Sequence, residues 1–244
     1  MIDIRPLMER EDLKSVVRLQ RQIWGFEDVD LIPLRLFVVA SKIGGQVYGA
    51  FDGSQLIGFC MSIPGLKPGG KTYLHSHMLG VLAEYRNTGV GRTLKLVQRD
   101  DALLRGIDLI EWTFDPLELK NAFFNMERLG AIVRRYVPNQ YGTTSSPLHG
   151  GLPTDRCIAE WWISSPRVKT ILAGQSFESP PRETQIEVPS NIATLRASDP
   201  SSAREIQRKV SEQFRDAFDR GLAVTGFAKC DPFGTYLLGK WESA

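Results

Sequence analysis

The chain has 244 residues, 42% apolar and 24% charged, with a formal net charge of +2. That length suits one large domain or a domain with an annex, with ample apolar material for a core. So small a net charge gives no case for nucleic acid as the main partner, although a local basic patch toward an anionic ligand is compatible with it.

In chain order, residues 2–7 read as a strand and 9–23 as a helix with Leu13, Val16, Val17 and Ile23 on one face. Pro33 suits the first turn of a second helix, with Leu34, Phe37 and Val38 inward and Gly44-Gly45 at its end. Residues 47–51 and 56–63 are strands joined at Asp52-Gly53, a strong hairpin signal. A loop rich in proline and glycine, 64–70, leads into a strand over 73–82. A helix then runs to about Gly106, with Leu94, Val97 and Leu104 in its buried stripe. A strand follows at 108–115, then a helix at 117–129 stopped by Gly130, and strands at 131–137 and 157–164. Residues 139–155, with three glycines and two prolines, read as a lid or a plain surface loop.

Beyond Pro166, residues 176–189 read as a linker or edge segment. Asp199-Pro200 then starts a helix with Ile206, Val210, Phe214 and Ala217 inward and Gly221 at its end. Residues 222–229 and 235–241 pair as strands across Asp231-Pro232-Phe233-Gly234. Cys60, Cys157 and Cys230 are odd in number and widely spaced, and read as free buried thiols in a reducing compartment. The start, Met1-Ile2-Asp3-Ile4-Arg5, is charged and no long apolar run follows, so a cytoplasmic protein without a membrane partner is expected.

Between the strand ending near Leu82 and the next helix stands Arg86-Asn87-Thr88-Gly89-Val90-Gly91. A strand-to-helix turn of this kind aims several backbone N–H groups, and the positive end of the helix dipole, at one place. That place suits a phosphate or pyrophosphate. Gly89 and Gly91 let backbone approach such a ligand, and Arg86 adds a charge. The spacing lacks the lysine of a P-loop, and it has Leu94 where a dinucleotide fingerprint has its third glycine. That argues against a nucleotide-binding oxidoreductase.

The stretch resembles the acetyl-CoA loop of the GCN5-related N-acetyltransferases, written Arg/Gln-x-x-Gly-x-Gly/Ala. Its flank, Val81 then Ala83-Glu84-Tyr85-Arg86, is similar to that family's Val-x-Pro-x-Tyr-Arg, with alanine in place of proline. The β-α-α-β-β-β-α-β-α-β succession over residues 1–138 agrees with it. The resemblance implies an α/β (α+β) fold, a mixed and mostly antiparallel sheet flanked by helices. It implies a domain over residues 1–165, with residues 166–244 as an α/β extension packed on that core. It implies acetyl-CoA as co-substrate and no metal, with a small-molecule or peptide amine as acceptor; a homodimer is compatible with it. Strands four and five would splay apart, the pantetheine arm pairing with Val81 and its neighbours. The pyrophosphate would lie on Thr88, Gly89, Val90, Gly91 and Arg92, with Arg86, Asn87 and Asn121 near the cofactor.

Amine attack on a thioester needs the neutral amine, whereas an alkylammonium has a pKa near ~10, so a base is useful. His75 and His77, two of three histidines, share a strand face by the period of two. The arylalkylamine branch of the acetyltransferases has a His-x-His pair at the same offsets before Val81, in catalytic roles; His77 is the nearer candidate. A metal pair is disfavoured because no third ligand is evident. The family's usual tyrosine acid falls at Met126, in Met126-Glu127-Arg128-Leu129-Gly130. Either Tyr136 or Tyr141 protonates the departing sulfur, or the thiolate leaves unassisted. Otherwise the protein is a non-catalytic acyl-CoA sensor of the same fold. Trp24, Trp112, Trp161 and Trp162 are candidates to line an acceptor pocket, Glu111 and Glu160 to attract an amine, and Asp115 to cap a helix.

Overall fold

A computed structural model describes residues 2–142 and 151–241. The chain divides into two compact units, Met1–Glu111 and Trp112–Ala244. Among the described residues no helix is long and apolar enough to cross a membrane.

The first unit contains β1 (Ile2–Pro6), α1 (Arg10–Trp24), a 3-10 turn at Asp28–Asp30 and α2 (Leu34–Lys42). β2 (Gln46–Asp52), β3 (Gln55–Leu66) and β4 (Thr72–Val81) form an antiparallel meander, with β1 antiparallel on the outer edge of β2. α3 (Val90–Leu104) leads to β5 (Leu109–Phe114), whose opening residues pair in parallel with β4. The β2–β3 turn is tight because Gly53 takes φ 56°, a conformation costly for any residue with a Cβ.

Leu13, Val16, Phe37, Ile57, Phe59 and Leu94 lie in one core cluster of this unit. Trp24 belongs with it, edge-on to Phe59 at 5.8 Å. Its ring lies across Gly80, where a Cβ would stand 2.6 Å from the indole. Trp24 is therefore a packing residue held against β4.

Several expectations change. In α3 the inward side chains are Val90, Leu94, Lys95, Gln98 and Ala102, and Leu104 is 89% exposed. The apolar pattern missed Lys95 and Gln98, which are buried because each has a polar partner on the sheet. In α2, Phe37 and Ala40 face inward while Val38 is exposed. Pro64 lies inside β3 opposite Leu74, not in a loop. The β2–β3 ladder has ended at Ser62 by that point, so the missing N–H of Pro64 interrupts nothing.

The second unit holds α4 (Leu119–Phe123), a π-helical turn at Phe124–Arg128, β6 (Ile132–Val137) and β7 (Arg156–Trp162). After them come α5 (Pro166–Leu172), β8 (Thr184–Pro189), α6 (Ile192–Ser198), α7 (Pro200–Asp219), β9 (Leu222–Cys230) and β10 (Phe233–Lys240). From β5 onward the strand order is β5-β7-β6-β9-β10-β8. The sheet is mostly antiparallel and flanked by helices. α7 starts as its sequence predicts: Asp199 accepts from Ser202 N–H at 3.1 Å and Pro200 stands in the first turn. Val210, Phe214 and Ala217 are buried, and Ile206 is half-buried.

The boundary expected after residue 165 falls inside this unit, because its two parts share one sheet and one core. β9 pairs with β6 at Val133↔Val224. Tyr136 stacks on Phe214 at 5.5 Å, and Tyr236 Oη donates to Pro116 O at 2.6 Å. Deleting residues 166–244 would uncover faces where each large apolar side chain contributes roughly 1.5–3 kcal/mol. The 1–165 fragment is expected to aggregate; a soluble fragment as heat-stable as the whole chain would show the extension to be dispensable.

Cys60 and Cys157 are buried as expected, but Cys230, at the end of β9, is exposed. Asp115 caps a turn, not a helix: its Oδ1 accepts from Leu117 N–H at 2.8 Å, and α4 begins only at Leu119. Of the 139–155 segment, residues 143–150 lie outside the described residues. The two stems are tied together, Gln140 N–H to Thr154 O at 3.0 Å and Asn139 N–H to Asp155 Oδ1 at 2.9 Å.

Candidate active site

β4 ends in a 3-10 turn at Ala83–Tyr85 and a short loop into α3. Asn87 (φ 64°) and Gly89 (φ 96°) are both left-handed, and Gly89 is the N-cap of α3 with no side-chain cap. Thr93 N–H reaches Gly89 O at 3.0 Å. The three preceding donors, on Val90, Gly91 and Arg92, precede the first residue that can bond back within the helix. They project from the positive end of the helix dipole. Thr88 Oγ1 donates to Tyr85 O at 2.7 Å, which leaves the hydroxyl inside the loop. A Cβ on Gly91 would meet Val81 and Leu79 at 3.8 and 3.9 Å, ordinary contacts. Internal packing does not require a glycine there.

Arg86 behaves differently from the expectation. Its guanidinium donates to Val81 O and to Ile23 O, each at 3.3 Å, so it braces the loop against the ends of β4 and α1.

The β4–β5 ladder consists of Leu74↔Ile110 and His75↔Glu111. From Ser76 to Val81, β4 runs on beyond those pairs, while its other edge stays paired with β3. Among the described residues no strand pairs with that edge, and an edge of this kind can receive an added extended chain. A bulge interrupts β4 at this point: Met61 pairs with Met78 and Ser62 with Ser76, so His77 is the extra residue.

The rings of His75 and His77 lie 5.8 Å apart, tilted by 45°. Burial pushes His75 down to about 4, helped by the charges of His77, Lys95 and Lys67, and burial also lowers His77. Both imidazoles are therefore neutral near pH 7, the form of the ring that can take a proton. On the opposite face Lys95 Nζ donates to Ser76 Oγ at 2.7 Å, and Ser76 Oγ donates to Gln98 Oε1 at 3.0 Å. Burial lowers the Lys95 amine to about 7.

The histidine shift has a consequence for stability. Between about 4 and the ordinary imidazole value of about 6.5, the unfolded chain binds more protons than the folded one. Stability should hold above about pH 6.5 and fall as the pH drops toward 4, by at most about 1.4 kcal/mol per pH unit for His75. Denaturant titrations across that window check this, with His75→Asn expected to flatten the slope. An unchanged slope would place the proton uptake elsewhere.

Glu111 is buried, and both its oxygens accept from Lys67 Nζ, at 2.7 and 2.8 Å. The carboxylate proposed to attract an amine thus holds one of the chain's own. Among the described residues no cluster of His, Cys, Asp and Glu could hold a metal ion.

The remaining candidates lie in the second unit. Tyr136 Oη donates to Asp155 Oδ2 at 2.6 Å, and burial followed by that bond pushes its phenol well above the usual range. A phenol so held is poorly suited to protonating a thiolate. Tyr141 is 45% exposed with its hydroxyl 2.9 Å from Thr113 Oγ1. Asn121 is exposed on α4, whereas Asn125 and Met126 are buried in the π turn. Trp112 Nε1 donates to Asn125 Oδ1 at 3.2 Å, and Asn125 Nδ2 is buried with no partner. The sequence pointed to Asn121 as the residue near the cofactor; the π turn carries Asn125 inward, while Asn121 stays exposed. Trp161 is fully buried and donates to Leu129 O at 2.6 Å, so it is a core residue. Glu160 is paired with Arg134 at 2.5 Å.

No family profile matches the sequence, and no curated protein matches it. Solved structures do match. NAA60 of Arabidopsis thaliana, in complex with acetyl-CoA, aligns with a TM-score of 0.55 at 18% identity, over 68% of this chain and 100% of that one. The ribosomal-protein-S18-alanine N-acetyltransferase of Escherichia coli gives 0.53 at 18%, over 68% and 96%. A protein of Desulfovibrio desulfuricans assigned to the GNAT family of acetyltransferases gives 0.53 at 15%, over 67% and 100%. The likeness spans about two thirds of this chain and nearly all of each neighbour. The chain has the fold of the GCN5-related N-acetyltransferases.

Proposed function

We propose that the protein is a cytoplasmic N-acetyltransferase that moves an acetyl group from acetyl-CoA to an amine by direct attack in a ternary complex. One observation carries this reading: an uncapped helix N-terminus follows a β4 edge that runs on beyond its ladder with β5. The donors of Val90, Gly91 and Arg92 would hold the pyrophosphate, and the edge up to Val81 would hold the pantetheine amides. Acetyl-CoA supplies an activated thioester.

The neutral amine nitrogen forms a bond to the acetyl carbon as the carbon–sulfur bond breaks. His77 takes the proton that the amine loses, directly or through a water. His75, pushed down to about 4, is the weaker base of the two. A thiol pKa near ~8.5 lets the thiolate leave without a phenol, which fits the commitment of Tyr136 to Asp155. Tyr141→Phe tests the remaining phenol and should leave the rate unchanged. A peptide amine is within the proposed acceptor class, since one neighbour of this fold is named for acting on a ribosomal protein's alanine.

Release of CoA measured with a panel of amines and short peptides tests the reading, and turnover with at least one is expected. A second reading, a non-catalytic acyl-CoA sensor, is favoured by buried Met126 where a tyrosine is usual. Tight acetyl-CoA binding with no turnover on any acceptor would establish it.

A further inference from the structure

Lys67 opens the turn between β3 and β4, with its N–H bonded to Lys71 O at 2.9 Å. Gly69 and Gly70 follow at φ 84° and 83°, and neither position has an atom near enough to touch an added Cβ. The Lys67 ammonium lies 4.6 Å from the centre of the Tyr73 ring and bridges both oxygens of Glu111. The Glu111 side chain is 5% exposed and that of Lys67 24%. The carboxylate is the more deeply buried of the pair, and the ammonium is its more exposed partner.

The neighbours are arranged around the same point. Glu111 is the ladder partner of His75, so the two side chains stand side by side on one face of the sheet. The Tyr73 ring lies across Gly65, where a Cβ would be 2.4 Å from it. A buried carboxylate and an aromatic face therefore meet next to the paired imidazoles. Carboxylate plus aromatic face is a cation-binding combination. Its present occupant is a primary ammonium on a flexible four-carbon stem, presented by a turn with two left-handed glycines.

We propose that Glu111 and Tyr73 form the ammonium subsite of the acceptor, and that Lys67 is a resident ammonium which the acceptor displaces. This rests on the N-acetyltransferase reading and narrows the acceptor to a primary alkylammonium, as on a lysine side chain or a polyamine. A buried carboxylate without a cation is strongly disfavoured, so one ammonium is exchanged for another and the subsite does not stand empty. The exchange moves the Lys67 stem outward on its glycine turn. The incoming ammonium is left beside the two imidazoles; it gives one proton to water to become the neutral nucleophile, and His77 takes the second as it attacks the thioester.

The probe is n-butylammonium, with n-butanol as the uncharged control. Calorimetry should show Lys67→Met binding it about tenfold or more tightly than the wild type (roughly 1.4 kcal/mol). Glu111→Gln in the same background should abolish that binding, and butanol should not bind. The KM for primary amines should fall correspondingly in Lys67→Met, while acetyl-CoA affinity stays unchanged. Should Lys67→Met not fold, wild-type protein gives the same answer. Saturating n-butylammonium should raise labelling of Lys67 by an amine reagent several-fold relative to Lys71 in the same peptide digest. Equal n-butylammonium affinity in wild type and Lys67→Met, or an unmoved Lys67-to-Lys71 labelling ratio, overturns the subsite and leaves the ion pair as a brace for the turn. Failure of the enzyme reading looks different: n-butylammonium binds as described, but no amine is acetylated.

Discussion

Replacing Gly91 by glutamate should remove acetyl-CoA binding while leaving the protein folded. A Cβ at this position meets only Val81 and Leu79 side chains, at 3.8 and 3.9 Å, so the chain itself accepts a substituent. Glutamate is also a better helix former than glycine. The carboxylate would lie among the first-turn donors, where the pyrophosphate is proposed to bind. Two lost charge-assisted hydrogen bonds, at roughly 1.5–3 kcal/mol each, together with like-charge repulsion amount to about 10²–10⁴-fold in affinity. Gly89→Ala is a different experiment: at φ 96° a side chain strains the backbone, so the cap itself would be disturbed. Calorimetry on a folded Gly91→Glu variant decides, and unchanged affinity would move the cofactor site elsewhere.

His77→Ala should lower turnover by about 10²–10⁴-fold, the usual cost of a lost general base, with acetyl-CoA affinity nearly intact. Burial lowers the His77 pKa, so the imidazole stays neutral from neutral pH to below its ordinary value of about 6.5. The wild-type rate should therefore fall as the pH drops through that lowered value. The variant should lose this acid limb, and raising the pH should partly restore its rate, because more amine is then neutral without help. His75→Ala, on the same face, should matter less. Full activity of His77→Ala at every pH would make the pair structural and leave Glu111 or a bound water as the next base.

Some of this protein is written in short stretches of sequence. The β2–β3 turn, the left-handed Gly89, the uncapped start of α3, and the Asp199-Pro200 start of α7 depend on residues within a few positions of one another. Local dihedral preferences and capping chemistry suffice for them, so the strand–loop–helix that carries the proposed cofactor site was legible, as was the fold it belongs to.

What joins distant residues was not legible. Lys67 and Glu111 are 44 positions apart, and nothing local marks them as partners. Lys95 and Gln98 break the apolar stripe of α3, yet they are buried, because Ser76 on the sheet offers them hydrogen bonds that water would otherwise supply. The bulge at His77 depends on how β3 is registered against β4. Arg86, read as a ligand contact, braces carbonyls of β4 and α1, and Tyr136 donates to an aspartate 19 residues away. The sequence alone determined which residues lie in the loop and on the strand. Tertiary structure decided which of their polar groups already have partners, because burying a polar group costs free energy unless a partner, often far along the chain, meets it there.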